Sequence, residues 1–528
     1  MKLRTIFMSM LAIAALTSCN NDDDDRPGGS PQIADTNVAY LSIKIETQPT
    51  TRSSSEDAGT GESDLKTLYL ITFDENENVV GVPGTNTYFT KLNSSSSVLT
   101  SPDPVRISGD AEKMLLIANP GSKLESTINS IGVTSTFSSI NAAIIGATKD
   151  EVTDNDTNTK GFTMINSGDE SKAENNKLTN LLIDISAKIK KVGNGVTEDA
   201  AKTAAESDRV NIQIERLAAK IELKLKDNLE TKPSGADFTF AGWTLDAVNS
   251  TFYPCAEKTL LGSTHTQGSY TYNFYTHDPN FTGANGLDFT TLSEYYTPVL
   301  PQSYTWMTAP GTSYCIENTM EKDHQLFGNA TRLVISGAYY PAEYDGEEGG
   351  DWFNYAGKNY HSLAALQEAY DAAEDGSNLK AACNDMFTKI KEYATKYPSA
   401  GINPPAEFRA LTKDHLEKVP NGGELIREGD KNVIRWYQRG LCYYYYIFRH
   451  DNEANEEMEF GKYGVVRNNW YSLTLGSVNG PGTPWYPDPN NPGPGDPDPK
   501  DPIDEAAGYL GLTVSTAKWV VWENEISI

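Results

Sequence analysis

The chain has 528 residues, room for two or three domains at roughly 100 to 200 residues each, and its 38% hydrophobic and 22% charged content supports a packed core. Tyr at 28, Gly at 42 and Pro at 27 favour strands and turns over helix bundles. Against 44 Lys and Arg stand 72 Asp and Glu. The resulting net charge of -28 repels phosphate backbones and anionic headgroups, which argues against a nucleic-acid partner.

In chain order, Lys2 and Arg4 precede an apolar run from Ile6 to Leu16. A bilayer span needs about 20 apolar residues, so this shorter run reads as the core of a secretory signal. Leu16-Thr17-Ser18-Cys19 then resembles a bacterial lipobox, which implies that Cys19 starts the exported precursor and carries its lipid. Asp22 to Asp25 cannot be buried together and read as a solvated tether. Directly after the lipobox they also resemble the acidic signal of surface-exposed Bacteroidetes lipoproteins.

The first strand expected is Ala39 to Ile45. Ala39, Leu41, Ile43 and Ile45 alternate with Tyr40, Ser42, Lys44 and Glu46, the period of two of a half-buried strand. Thr50 to Ser63 follows, small and polar with one basic residue, Arg52. Strand patterns recur at Leu65 to Phe73, Met114 to Ala118, Leu181 to Ile189 and, as one long alternation, Val210 to Leu225. A second block holds strands at Phe238 to Leu245, Leu333 to Ala338, Tyr443 to Phe448 and Trp470 to Val478. Short strands punctuated by turns predict β-sandwich architecture. Between Ser362 and Tyr397 the apolar spacing turns helical, with a break at Asp375-Gly376-Ser377-Asn378, and predicts an αα-hairpin.

Pro481 to Pro502 carries nine prolines in 22 residues and reads as a solvated linker, about 65 to 70 Å long if stretched as polyproline. The arm beyond it places Leu510, Leu512, Val514, Val520, Trp522, Ile526 and Ile528 on one face at a period of two. Burying those seven side chains contributes at most about 10 to 20 kcal/mol before association costs. The competing reading folds the arm back as an edge strand of the second domain.

No P-loop, HExxH, G-x-S-x-G or dinucleotide fingerprint occurs, and the six histidines have no ligand spacing, so neither an enzyme nor a cofactor or metal site is expected. Cys255, Cys315, Cys383 and Cys442 allow two disulfides in any of three pairings. Tyr443 to Tyr446 is the one aromatic cluster that suggests a sugar platform, against a reading as half core and half surface.

Taken together these parts resemble the Bacteroidales fimbrillins, the subunits of type V pili, and more closely the major subunit of the short (minor) fimbrium. The resemblance rests on the lipobox, the early strand with Thr50-Thr51-Arg52, Leu68 to Asp74 and Ile117-Ala118-Asn119. It rests further on Glu215-Arg216-Leu217-Ala218-Ala219-Lys220-Ile221 and, most specifically, on Tyr463-Gly464-Val465-Val466-Arg467-Asn468-Asn469-Trp470-Tyr471. It implies a mainly β fold of two transthyretin-like Greek-key sandwich domains, residues 53–225 and 226–480. The helical hairpin 362–397 falls outside the family pattern.

The resemblance also implies a mechanism. The precursor travels as an outer-membrane lipoprotein, the early strand completes the N-terminal sandwich, and an arginine-specific protease cuts Arg52-Ser53. The strand leaves, and the arm 506–528 of an identical subunit fills the groove head to tail, building a surface fimbrium that serves adhesion and biofilm formation with accessory fimbrial subunits. The membrane enters only through the precursor's lipid. The alternatives are a monomeric surface lipoprotein that binds glycans, or an accessory or tip adhesin.

Overall fold

A computed structural model describes residues 33–47, residues 61–506 with short internal gaps, and residues 515–517 and 524–527 of the C-terminal arm. Cys19, Arg52, Ser53, Leu510, Leu512, Val514, Val520, Trp522 and Ile528 lie outside the described residues, and Ile526 is described in its backbone alone.

The fold is mainly β, with two sheet-on-sheet bodies and a helical insertion in the second, as the strand periodicity and turn spacing predict. In the first body the early strand divides at Ser42 into β1 (Val38–Leu41) and β2 (Ile43–Thr47). These are followed by β3 (Leu65–Phe73), β4 (Leu99–Thr100), β5 (Val105–Ser108), β6 (Lys113–Ala118), β7 (Met164–Asn166) and β8 (Val210–Arg216). The main sheet runs β3-β6-β7-β8-β2-β4, while β1 sits in a second, three-stranded sheet between β5 and Lys190–Lys191. A helix, α1 (Glu198–Ser207), is capped by the Thr197 hydroxyl, which accepts from the Ala200 amide at 3.2 Å.

The run Val210 to Leu225 does not form one strand. After β8 the chain turns at Leu217 and enters β9 (Ala218–Thr231), the central strand of the second body. Ala218 still packs in the first core, whereas Ala219, Ile221 and Leu223 pack in the second. Alternation carries no information about which sheet a strand joins, so the sequence pattern runs straight across the junction. Nor is Leu181 to Ile189 a strand. Only Ile183–Asp184 pairs, because the Asp184 carboxylate takes the Ser186 amide at 3.0 Å and turns the chain, while Leu181, Leu182 and Ile185 stay buried.

The second body sets the sheet β9, β11 (Gly311–Ile316) and β16 (Trp470–Val478) over β10 (Asp237–Asp246), β12 (Arg332–Tyr340) and β15 (Leu441–Ile447). Trp243, Leu333, Leu473 and Leu475 fill the space between. Its insertion adds β13 (Trp352–Tyr355), β14 (Arg435–Tyr437) and the helices α2 (Leu363–Ala372), α3 (Asn378–Lys396) and α4 (Gly422–Ile426). The Ser362 and Ser377 hydroxyls cap α2 and α3, and Leu366, Cys383, Met386 and Ile390 form a separate third core.

The disulfide reading does not hold among the described residues. All four cysteines are free and buried, and burial raises the Cys255, Cys315 and Cys383 thiols to about 12. Cys255 and Cys383 lie in different cores, and Cys315 and Cys442, which share one, sit in opposite sheets.

Candidate functional site

The feature that separates the first body from an ordinary sandwich is its first strand. The main chain crosses from one sheet to the other at Ser42, so that β1 and β2 serve both. Antiparallel pairing joins β1 to β5 through Ala39–Ile107 and Tyr40–Arg106. A parallel ladder joins β2 to β8, from Ile43–Val210 to Thr47–Ile214, and β4 closes its other side through Lys44–Thr100. Ala39, Leu41, Ile43 and Ile45 are all fully buried in the first core. Burying the three large side chains among them contributes roughly 5 to 9 kcal/mol as an upper bound.

The opposite face of β1 is covered too. Tyr40 packs on Ala201 and Ala205 of α1, donates its hydroxyl to Glu198, and carries Lys202 over its ring at 5.0 Å. Ser42, at the crossing, is 1% exposed, and its hydroxyl has no hydrogen-bond partner among the described residues. The slot therefore holds four buried apolar side chains on one face, one tyrosine on the other and a small residue at the bend.

The segment that follows β2 is fixed at both ends. Upstream, Thr47 ends the ladder with β8. Downstream, Glu62 is 3% exposed and pairs with Lys220 at 2.9 Å, while Lys220 lies 3.9 Å over the Trp470 ring. Arg216 donates to the Glu62 carbonyl at 2.7 Å and to the Ser63 hydroxyl at 2.8 Å, and burial lowers its guanidinium to about 10 against the field of Glu62 and Tyr314. Residues 48–60 thus connect two anchored points, and Arg52 lies between them.

This knot also joins the two motifs that point to a family. The Arg216 amide donates to Asn468 Oδ1 at 3.2 Å, the Asn468 amide to the Ala218 carbonyl at 2.8 Å, and the Lys220 amide to the Asn469 carbonyl at 2.8 Å. Gly464 has φ 121°, and a Cβ there would lie 2.7 Å from the Tyr275 hydroxyl and 2.8 Å from the Asn318 carbonyl. The segments 215–221 and 463–471 therefore pack together.

At the other end of the chain, the proline-rich segment is not the solvated linker that its composition suggests. Trp485 is fully buried, donates its indole to Asp496 at 2.8 Å and stacks near Arg435. Tyr486 packs on Trp306 and Tyr443, and its amide donates to Glu424 of α4 at 2.5 Å. Thr483 exchanges backbone hydrogen bonds with Tyr443 at 2.8 and 3.0 Å, and the Phe327 and Gly328 amides donate to the Asp501 and Pro499 carbonyls. Asp504 accepts from Lys462 at 2.7 Å and from the Met458 amide and Tyr463 hydroxyl at 2.5 Å. Prolines exclude a regular ladder, but two aromatic side chains between them supply the burial that holds a strap.

Beyond the strap, β17 (Ser515–Ala517) pairs antiparallel with β16, and β18 (Asn524–Ser527) pairs parallel with it through Leu475–Ile526. The relation of β18 to β16 repeats that of β2 to β8. Of the aromatic run, Tyr444, Tyr445 and Tyr446 are 6%, 8% and 4% exposed and belong to the interior, while Tyr443 is half-buried beside Trp306 and Tyr486. Among the described residues no cluster of three or more His, Cys, Asp or Glu could hold a metal ion, and no helix is long and apolar enough to cross a membrane.

Comparison with known proteins meets this geometry at both ends. The family profile of the major fimbrial subunit protein (FimA) matches residues 39–216, from β1 to the end of β8. That of the C-terminal part of fimbrillin, a major fimbrial subunit protein of type IV, matches residues 435–525. The two matches together span about half of the chain, and the chain belongs to the fimbrillin family. It is a fimbrial protein of the cell surface.

Among solved structures, a candidate cell adhesion protein from Bacteroides eggerthii is 14% identical, with 95% of this chain and 100% of that chain covered and a TM-score of 0.38. A fimbrilin from Porphyromonas gingivalis is 13% identical over 92% and 96% of the two chains, with a TM-score of 0.36. The tip fimbrial protein Mfa3 of the same species, truncated at its C-terminus, is 12% identical over 57% and 80%, with a TM-score of 0.29. These likenesses are too distant to transfer any property to this chain. A search of curated proteins finds no match.

Proposed function

We propose that this fimbrillin is a structural shaft subunit that polymerises by exchanging strands. The precursor is exported as a lipoprotein acylated at Cys19 and is cut by a surface protease between Arg52 and Ser53. Strands β1 and β2 then leave, and the slot between β5 and β8 receives the C-terminal arm of an identical subunit, so that copies add head to tail. Such a contact does not close on itself and builds a filament. The domain organisation proposed with it is a body completed by a removable strand, a second body with the insertion, a strap, and a donor arm from residue 506.

The observation that carries this reading is the first strand itself. Its Ala39, Leu41, Ile43 and Ile45 side chains are fully buried, it is paired on both sides, and the chain continues from it through residues 48–60, which contain Arg52. Cutting there severs no other described element of the first body. The test is the N-terminal sequence of protein sheared from the cell surface. A start at Ser53 supports strand removal; a blocked, lipidated Cys19 on every surface copy sinks it in favour of a monomeric surface lipoprotein.

A further inference from the structure

The exchange reading leaves open which residues of the arm occupy which positions of the slot, and the two sequences answer it. Residues 39–46 read Ala-Tyr-Leu-Ser-Ile-Lys-Ile-Glu, and residues 508–515 read Gly-Tyr-Leu-Gly-Leu-Thr-Val-Ser. Position by position the types agree: small, Tyr, Leu, small, aliphatic, polar, β-branched aliphatic, polar. We propose that residues 508–515 of a second copy of this chain occupy the slot in the register of residues 39–46, with Tyr509 at the place of Tyr40 and Gly511 at the sheet crossing. This rests on the exchange reading above and specifies its contact.

Each feature of the slot has its counterpart in that register. Leu510, Leu512 and Val514 meet the core positions of Leu41, Ile43 and Ile45, at similar volume. Tyr509 keeps the platform of Ala201 and Ala205 and the Glu198 acceptor that Tyr40 uses. A slip by one residue would send the tyrosine into the aliphatic core and the leucines out to α1. Gly508 fits where Ala39 is fully buried.

The crossing gives the exchange a direction. Ser42 buries a hydroxyl that finds no partner among the described residues, an unfavourable state for a buried polar group. Gly511 brings no hydroxyl to that point, so the incoming strand does not bury this group. The register also divides the arm: Leu510, Leu512 and Val514 fill the slot of β1 and β2, while Val520, Trp522, Ile526 and Ile528 fall beyond the end of β2.

In the precursor Lys44 stands opposite Asn211 of β8, and Asn211 is exposed. The register therefore sets Thr513 of one subunit opposite Asn211 of the next. The experiment places cysteines at Thr513→Cys and Asn211→Cys in the full chain, shears fimbriae from the cells, oxidises them and runs them on a denaturing gel. Thr513→Cys with Gln213→Cys, two residues along the same exposed face of β8, is the register control. The expected result is a covalent ladder with Asn211→Cys and none with Gln213→Cys.

A ladder in the control alone, or filaments that cross-link in neither, would overturn the register and leave strand exchange standing. Absence of filaments from the unsubstituted chain would sink exchange itself. As a second readout, Tyr509→Phe and Tyr509→Ala separate the two parts of the tyrosine's role. The first keeps the ring on α1 and should polymerise at close to the normal rate; the second should slow polymerisation roughly tenfold or more. Equal rates for both would overturn the placement of Tyr509.

Discussion

Arg467 is the residue on which the junction of the two bodies turns. It is 2% exposed, forms an ion pair with Glu317, and donates to the Pro254 and Tyr253 carbonyls at 2.8 and 2.7 Å. Removing one member of such a pair leaves the other charge buried without compensation. Arg467→Met is expected to cost about 3 to 5 kcal/mol in urea unfolding. Nearby Asp278 works in the opposite sense. Burial raises its carboxyl to about 7, helped by Glu317 and opposed by hydrogen bonds from Thr319 and Asn280. Its pKa in the unfolded chain is about 3.9, so the folded state takes up the extra proton. The stability this gives is complete below about pH 4 and is lost as pH rises through about 7. Asp278→Asn should flatten the pH dependence of stability between those limits by up to about 1.4 kcal/mol per pH unit. An unchanged slope in thermal melts across the window would remove Asp278 as its source.

Among the elements, those with a clean period were legible in the sequence. Ala39, Leu41, Ile43 and Ile45 alternate and are buried as that alternation predicts, and Ser362 and Ser377 begin the two helices where the apolar spacing changes. Composition misled where a few side chains outweigh it. Nine prolines suggested a solvated tether, yet Trp485 and Tyr486 bind it to α4, Trp306 and β14. The insertion, which no periodicity assigned to a role, supplies α4 and Arg435 for that contact. The strap ends on Asp504. Burial pushes that carboxyl up, but hydrogen bonds from Lys462, Met458 and Tyr463 outweigh it and hold its pKa below the usual value. The contact is therefore present above about pH 3.9 and is lost as pH falls through the lower, folded value. At neutral pH, Asp504→Asn should weaken it by about 1.5 to 3 kcal/mol, as expected for charge-assisted hydrogen bonds. Hydrogen exchange should then quicken in residues 498–506 and stay unchanged in β12. Equal protection in both proteins would show that Asp504 does not hold the strap.

On the scale of the whole molecule, an anchored strap changes what the arm does. A free 22-residue linker would let neighbouring subunits swing, whereas a chain tied down as far as Asp504 leaves only a few residues before Gly508, roughly 10 to 15 Å of reach. Under the proposed exchange, with β17 and β18 released from β16, the first body of one subunit would sit against the end of the second body of the next, at a short and stiff joint. The same asymmetry separates giving an arm from receiving one. An Arg52→Ala precursor keeps β1 and β2 in its slot and has only an arm to offer. A cleaved chain ending at Ala506 has an open slot and no arm. Each alone should remain monomeric, and mixing them should give dimers of one copy of each and nothing larger, read by light scattering. A symmetric contact would pair either variant with itself, because an isologous interface offers the same surface from both partners. A head-to-tail exchange cannot, since a filled slot accepts no strand and a missing arm supplies none. Dimers of either variant alone would overturn head-to-tail assembly, and mixtures that grow into filaments would show that subunits join by a second contact outside the slot.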